Sequence, residues 1–473
     1  MGFGAAPLTK RKLFCASRLY SSREDLSYDV ATVDVAAMFR KLVPFNLGAE
    51  VTPLSAVQRI FLPSILRFKT STVVFCFDSP RHIPEVRKIF HAERRYKASP
   101  RPPKAGQLRC PEDGRNYTPD TYPATDADIA ALTMTSMPCP WAKFWNSAAG
   151  KVALWRCIED SIRHLVVTGQ VRRGVRCIID GIDGHDLWVH PADDKAEFFK
   201  HHYGEGDMKS ILWATHLPGR VLVMTIDWDV VLALLLYDAP LDVWIGTVYH
   251  GDKDGIESAP FMSQAVELTK KGALKVWGEL NPAVEIVHPP FPEWTRLERQ
   301  HYLMLCLAMG GVDYCYGLSA FGFPEAKLLE LALDGTYGKF MVNMFDKESP
   351  LERCIKFYPE EFAASIKKAF TPGRVRHKPP PGRTIADEFS TEVRNILYCI
   401  MYFGGFDSAR VPSGPPPPDP LEMLYPGATT MHDIFTMSFP PVFFDESYPA
   451  TAATLPHPPS VSYCGAQLSH IKL

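Results

Sequence analysis

Four short β-branched runs, each closed by an aspartate, constrain this chain more than any other feature. Val30-Ala31-Thr32-Val33-Asp34 is the first, followed by a helical pattern from Val35. Ser71 to Asp78 is the second, Val175 to Asp180 the third and Arg220 to Asp227 the fourth. Apolar runs of this length, separated by helix-period segments, predict an α/β fold: a mostly parallel central sheet flanked by helices on both faces. Ligands of such sheets bind beyond the carboxyl ends of the strands. A parallel arrangement therefore brings Asp34, Asp78 and Asp227 to one edge.

At 473 residues the chain is long enough for two to three domains, or for one large domain with insertions. Its 51 Lys+Arg balance 53 Asp+Glu, which excludes a globally basic nucleic-acid coat and a globally acidic tail protein. Nucleic-acid binding would have to come from local patches. The eleven cysteines include no C-x-x-C pair. That speaks against a disulfide framework or a zinc ribbon, and for an intracellular, reducing compartment. No secretory pattern opens the chain, and its longest apolar run, Val230 to Leu236, is too short to span a bilayer, so no membrane partner is expected.

Proline divides the chain into two regimes. Residues 1–370 hold 25 of the 42 prolines, and the last 103 residues hold the other 17, including Pro379 to Pro381 and Pro415 to Pro418. The expected organisation is a core over 1–335 with insertions near 98–150, 181–203 and 238–295. A helical extension follows over 336–370, then a proline-rich, extended tail over 371–473. One helix near 384–403 interrupts that tail, with Asp387 and Glu388 in its first turn and Gly404-Gly405 as its stop.

More acids fall at matching places. Asp229 follows Asp227 at i+2, Gly204-Glu205-Gly206-Asp207 precedes a helical stretch, and Asp313 follows an apolar helix and Gly310-Gly311. Each acid alone reads most simply as a helix cap. Seven carboxylates in one cleft are another matter, because they stay ionised together only if cations neutralise them. Hard oxygen donors suit Mg²⁺, and two such ions about 4 Å apart would activate a water and stabilise the leaving oxygen of a phosphodiester.

The order of these blocks resembles the flap endonuclease/XPG family of structure-specific 5′ nucleases, whose fold is PIN-like. Met1-Gly2-Phe3-Gly4, Val33-Asp34-Val35, Phe77-Asp78, Gly204-Glu205-Gly206-Asp207, Asp227-Trp228-Asp229 and Gly310-Gly311-Val312-Asp313-Tyr314 match its blocks in sequence. The resemblance covers about residues 1–335. It implies a hydrolase of flap, branched or 5′-ended DNA, of the kind used in replication and repair, leaving 5′-phosphate and 3′-hydroxyl ends. It assigns Asp34, Asp78, Glu205 and Asp207 to one Mg²⁺ and Asp227, Asp229 and Asp313 to a second, with Mn²⁺ as a substitute. It also makes the basic stretch containing Arg81, Arg87, Lys88, Arg94 and Arg95 the start of an arch that grips the scissile phosphate, with Arg87, Lys88, Arg94 and Arg95 in the catalytic set. Taken alone that stretch reads more simply as a solvated surface helix; beside an acidic metal cleft the phosphate-gripping reading takes precedence, because a phosphate needs cationic partners there.

The chain departs from the family pattern in three places. Proline and polar residues fill 98–140, so an arch there would be extended. Residues 181–203 carry Asp183, His185, Asp186, His190, Asp193, Asp194, His201 and His202 without thiolates or a recurring spacing, which reads as a solvated loop in preference to a zinc site. The family's DNA-gripping loop, Gly-x-Gly-Pro-Lys, is here Ala320-Phe321-Gly322-Phe323-Pro324-Glu325, keeping Gly322 and losing the lysine. RNA therefore stands as the alternative substrate, as for host-shutoff and 5′–3′ exoribonucleases, whose core is also PIN-like. A third possibility is a nuclease-derived scaffold whose proline-rich tail binds a protein partner. No sliding-clamp motif occurs in the tail. The nucleus is expected ahead of the cytoplasm, although Lys10-Arg11-Lys12 is too short to establish import.

Overall fold

The computed structural model describes residues 17–20, 27–66, 68–79, 102–111, 114–171, 174–183, 187–192 and 204–234, the strands between 241 and 287, and single positions at 303–317 and at 396, 399 and 403. The first half begins with β1 (Ser17–Tyr20), β2 (Ser27–Asp34) and helix α1 (Val35–Leu42). Helix α2 (Pro53–Ala56) runs through a π-helical turn (Val57–Phe61) into α3 (Leu62–Ile65), and β3 (Lys69–Cys76) follows. A small hairpin, β4 (Leu108–Arg109) and β5 (Asn116–Tyr117), precedes α4 (Asp126–Ala131), α5 (Trp141–Asn146) and α6 (Ala148–Val167). Beyond these lie β6 (Arg176–Asp180), β7 (Leu187–His190), α7 (Gly206–His216), β8 (Val221–Met224) and α8 (Trp228–Ala233). The remaining strands are β9 (Leu241–Asp252), β10 (Gly255–Pro260), β11 (Gln264–Leu268), β12 (Leu274–Glu279) and β13 (Ala283–Val287).

The central sheet has the order β1-β13-β9-β8-β2-β3-β6-β7, with β10 added to β9. Strands β9, β8, β2, β3 and β6 are parallel. Strands β7, β10, β13 and β1 join antiparallel. The α/β architecture with a mostly parallel sheet is thus the one the sequence predicts, and strands from 241–287, read there as an insertion, widen the sheet.

Alternation along the strands distributes the core over both faces. Ala31, Val33, Val73, Phe75, Cys177 and Ile179 join one apolar cluster with residues of α1, the π-helical turn, α5 and α6. Phe39 of α1 sits at its centre, with ring centroids 5.3 to 6.5 Å from Phe61, Trp141, Trp145 and Trp155. Each such side chain contributes on the order of 2–3 kcal/mol by burial. Trp141 places its one polar atom against a carbonyl, Nε1 donating to Val51 O at 2.7 Å. The intervening strand residues Thr32, Val74, Cys76, Ile178 and Val223 are buried outside that cluster, and α7 packs over β2, β3 and β8.

The segment 181–203 differs from the solvated loop expected of it. Leu187–His190 forms an edge strand paired from Cys177↔His190 to Asp180↔Leu187, because Leu-Trp-Val-His combines β-forming residues with a partly apolar inner face. His190 stacks on Trp188 at 5.7 Å, and Asp183 pairs with Arg156 at 2.9 Å. His185, Asp186, Asp193, Asp194, His201 and His202 lie outside the described residues. Farther on, Ile396, Cys399 and Phe403 are helical and buried at the spacing of one helix face, within the helix expected over 384–403. The helical extension over 336–370 and the proline stretches of the tail lie outside the described residues. Among the described residues no helix is long and apolar enough to cross a membrane.

Candidate functional site

Strand register alone assembles a row of side chains across the carboxyl edge of the sheet. Asp34 of β2 pairs with Cys76 of β3, and Cys76 pairs with Asp180 of β6. On the other side Val33 pairs with Met224, which brings Thr225 beside Asp34. The Thr225 hydroxyl donates to Asp34 Oδ2 at 3.2 Å. Asp34 also caps α1, its Oδ1 accepting from Ala37 N at 3.1 Å. The capping role read from the sequence is therefore real, and it leaves the carboxylate at the sheet edge.

The other acids arrive from the loops beyond the strands. Asp78, two residues past β3, accepts from Gly206 N at 2.9 Å. Glu205 occupies the N-cap position of α7 and is buried; Asp207 lies in the first turn and accepts from Met208 N at 2.6 Å. Asp227 caps α8 by accepting from Asp229 N at 3.4 Å, while its own N–H donates to Thr225 Oγ1 at 3.0 Å. Asp229 is buried in the first turn of α8.

Glycine is required where α7 meets the strands. A Cβ on Gly206 would stand 2.8 Å from the Cys76 carbonyl oxygen, 3.2 Å from Asp34 Oδ1 and 3.4 Å from Asp78 Oδ1. The absent side chain lets the start of α7 press between β2 and β3, which carries Glu205 and Asp207 to Asp34 and Asp78. The amino-terminal end of the helix dipole favours anionic groups there.

The electrostatics report the same convergence. Burial pushes the Asp34 carboxyl well above the usual carboxylate range, and the charges of Asp78 and Asp207, then Asp227, push it further; the Ala37 N–H opposes them. Three carboxylates thus act on Asp34 at this edge. Even so, among the described residues no group of three or more His, Cys, Asp and Glu side chains is disposed to hold a metal ion. Asp34, Asp78, Asp207 and Asp227 each accept from a backbone N–H. The donor set is all oxygen, which suits a hard divalent cation in chemistry and placement. Closing on such an ion would require these carboxylates to turn from their N–H partners.

Cysteine chemistry is disfavoured at this edge. Burial, reinforced by Asp180, pushes the Cys76 thiol far up. Elsewhere burial takes Cys139 and Cys157 to about 11 and Cys177 to about 12, so none is a ready thiolate.

Six of the seven predicted acids are thus placed around the ends of β2, β3 and β8. The seventh, Asp313, lies outside the described residues, although Val312 and Cys315 flanking it form a β-bridge after Gly311 ends the preceding helix with φ +65°. Arg81, Arg87, Lys88, Arg94, Arg95 and Gly322 also lie outside them. The sequence reading left Asp180 out of the acidic set and did not single out Lys209. Both are buried behind the acids, where Lys209 Nζ meets Asp180 Oδ1 at 2.8 Å. Only the run-ending position of Asp180 hinted at this. No family model matches the chain, and no curated protein matches it significantly.

Proposed function

We propose that this protein is a divalent-metal-dependent nuclease that hydrolyses phosphodiester bonds in flap, branched or 5′-ended DNA. The observation that carries the reading is the environment of Asp34, a buried strand-end carboxyl under the combined negative charge of Asp78, Asp207 and Asp227. A site that concentrates acids at the carboxyl edge of a parallel sheet, against the cost of their repulsion, is built for cations. The block order that resembles flap endonucleases supports the same chemistry.

In this reading Asp34, Asp78, Glu205 and Asp207 hold one Mg²⁺, and Asp227, Asp229 and Asp313 hold the other. When bound, the two cations activate a water and neutralise charge on the phosphate. The chain's own part is placement: β2 and β3 fix Asp34 and Asp78, Gly206 admits the acidic start of α7, and Thr225 orients Asp34 and the turn to Asp227. Arg87, Lys88, Arg94 and Arg95 supply cationic partners for the phosphate, and Arg81 and Gly322 join them in holding nucleic acid.

The test is cleavage in Mg²⁺ of a 5′-labelled DNA flap, plain duplex DNA and a structured single-stranded RNA, with an Asp207→Asn/Asp227→Asn variant as control. Cutting at the flap junction that the variant lacks is the expected result. Cutting of RNA alone transfers the same metal chemistry to a ribonuclease, the outcome that Glu325 in place of the loop lysine favours. Equal behaviour of both proteins on every substrate rejects the enzyme and leaves a scaffold.

A further inference from the structure

Lys209 is a wholly buried cation one turn inside α7, and its surroundings give it a task. Its ammonium reaches Asp180 Oδ1 at 2.8 Å, Ser79 Oγ at 3.1 Å and the Gly181 carbonyl oxygen at 3.1 Å. Three acceptors match the three N–H groups that only a lysine ammonium offers from one atom. Asp180 is held on its other side as well, because Trp213 Nε1 donates to Oδ2 at 2.8 Å. Residues 209 and 213 are one helical turn apart on α7, so a single stripe of the helix grips both carboxylate oxygens. Asp180 ends β6, and Ser79 lies in the turn just past β3.

The same turn clasps the segment before α7. Ser79 N donates to the Gly204 carbonyl, and Gly206 N donates to Asp78 Oδ1, so Glu205 is bracketed between two hydrogen bonds. On the far side, Glu159 of α6 accepts from Ile182 N at 3.0 Å and fixes the residue after Gly181. The ion pair is neutral as a unit and adds no net charge to the acidic edge. An uncharged packing contact would fill this space at a lower desolvation cost.

We infer that Lys209 is a positioning residue, which through Asp180 and Ser79 fixes the acidic start of α7 against Asp78 and so supports the proposed cation site from behind. The inference rests on the metal-site reading above and adds to it residues that do not themselves touch the ion. Groups that orient metal-binding side chains from behind influence affinity by about 10- to 100-fold.

The test titrates Mn²⁺ into the full-length protein and counts the free ion by electron paramagnetic resonance. A Lys209→Met/Asp180→Asn variant removes both charges together and retains an acceptor for Trp213. Ser79→Ala removes one hydroxyl and leaves the Lys209–Asp180 ion pair in place. Circular dichroism establishes folding. The double variant is expected to weaken Mn²⁺ binding about tenfold or more, and Ser79→Ala roughly fivefold, as for one lost hydrogen bond. Folded variants with wild-type Mn²⁺ affinity overturn the inference and leave the metal site standing; if the double variant does not fold, Ser79→Ala decides alone. A wild-type protein whose Mn²⁺ binding is absent, or unchanged in Asp34→Asn/Asp78→Asn, overturns the metal reading itself and this inference with it.

Discussion

Asp34 carries opposing demands. It caps α1, accepts from Thr225, and stands among acids that raise its proton affinity. Its folded-state affinity exceeds the unfolded one, so the stability it contributes is complete below about pH 3.9 and is lost as pH rises through the higher folded value. Asparagine keeps the capping oxygen without the charge and turns its NH2 towards the Thr225 hydroxyl oxygen. In chelator at neutral pH, Asp34→Asn is therefore expected to raise the unfolding free energy by about 1 kcal/mol, with the gap shrinking towards pH 4. The same variant is expected to lose metal-dependent cleavage. Thermal melts across pH check the first part, and a variant less stable than wild type at every pH would show that repulsion is not what Asp34 bears.

At the scale of elements, local signals decide where helices begin. Thr125 starts α4 with a reciprocal capping box: Asp128 N donates to Thr125 Oγ1 at 3.2 Å, and Thr125 N donates to Asp128 Oδ2 at 2.9 Å. That backbone bond, followed by the Thr125 hydroxyl, lowers the Asp128 pKa. The contribution is thus present above the unfolded value near 3.9 and fades as pH falls through the folded one. Thr125→Ala is expected to cost about 1 kcal/mol, and Asp128→Asn to remove the acid-side part of that dependence, both read by urea titration at pH 7 and pH 3. Longer elements are less legible. The 20-residue α6, capped by Ser147 through Gly150 N, is less legible because Glu159 interrupts its buried face. Burial of Glu159 against Ile182 N shows why a charge on that face is tolerated.

Across the whole molecule, the proposed metal site would couple cation binding to folding. Strands β2, β3 and β8 and helices α7 and α8 each deliver acids, so a cation that closes the site ties together segments nearly 200 residues apart. Mg²⁺ at a hundred times its dissociation constant is expected to stabilise the protein by about 2.7 kcal/mol through mass action alone. Differential scanning calorimetry in Mg²⁺ and in chelator reads this directly. An unfolding midpoint that ignores Mg²⁺ from micromolar to millimolar would remove the metal from the site.

Strands β2, β3, β6 and β8, the helix start at Val35, the helical stretch after Gly204-Glu205-Gly206-Asp207, the Gly310-Gly311 stop and the acids Asp34, Asp78, Glu205, Asp207, Asp227 and Asp229 are legible in the chain, whereas the fifth parallel strand, β9, lies in a segment that reads as an insertion. Period-2 burial and caps are local properties, written within a few residues of where they act. The edge strand β7 was obscured by the His and Asp residues around it, and the aromatic packing of Phe39 with Trp141, Trp145 and Trp155 joins positions over a hundred residues apart. Most telling is Asp180, which ends its run as Asp34 does. Only the placement of β6 beside β3, with α7 laid across the sheet, hands Asp180 to Lys209 and Trp213 and leaves Asp34 to the other acids. Local patterning determined where the carboxylates stand along the chain. Strand order decided which faces a buried cation and which face one another, because that choice depends on partners distant in sequence.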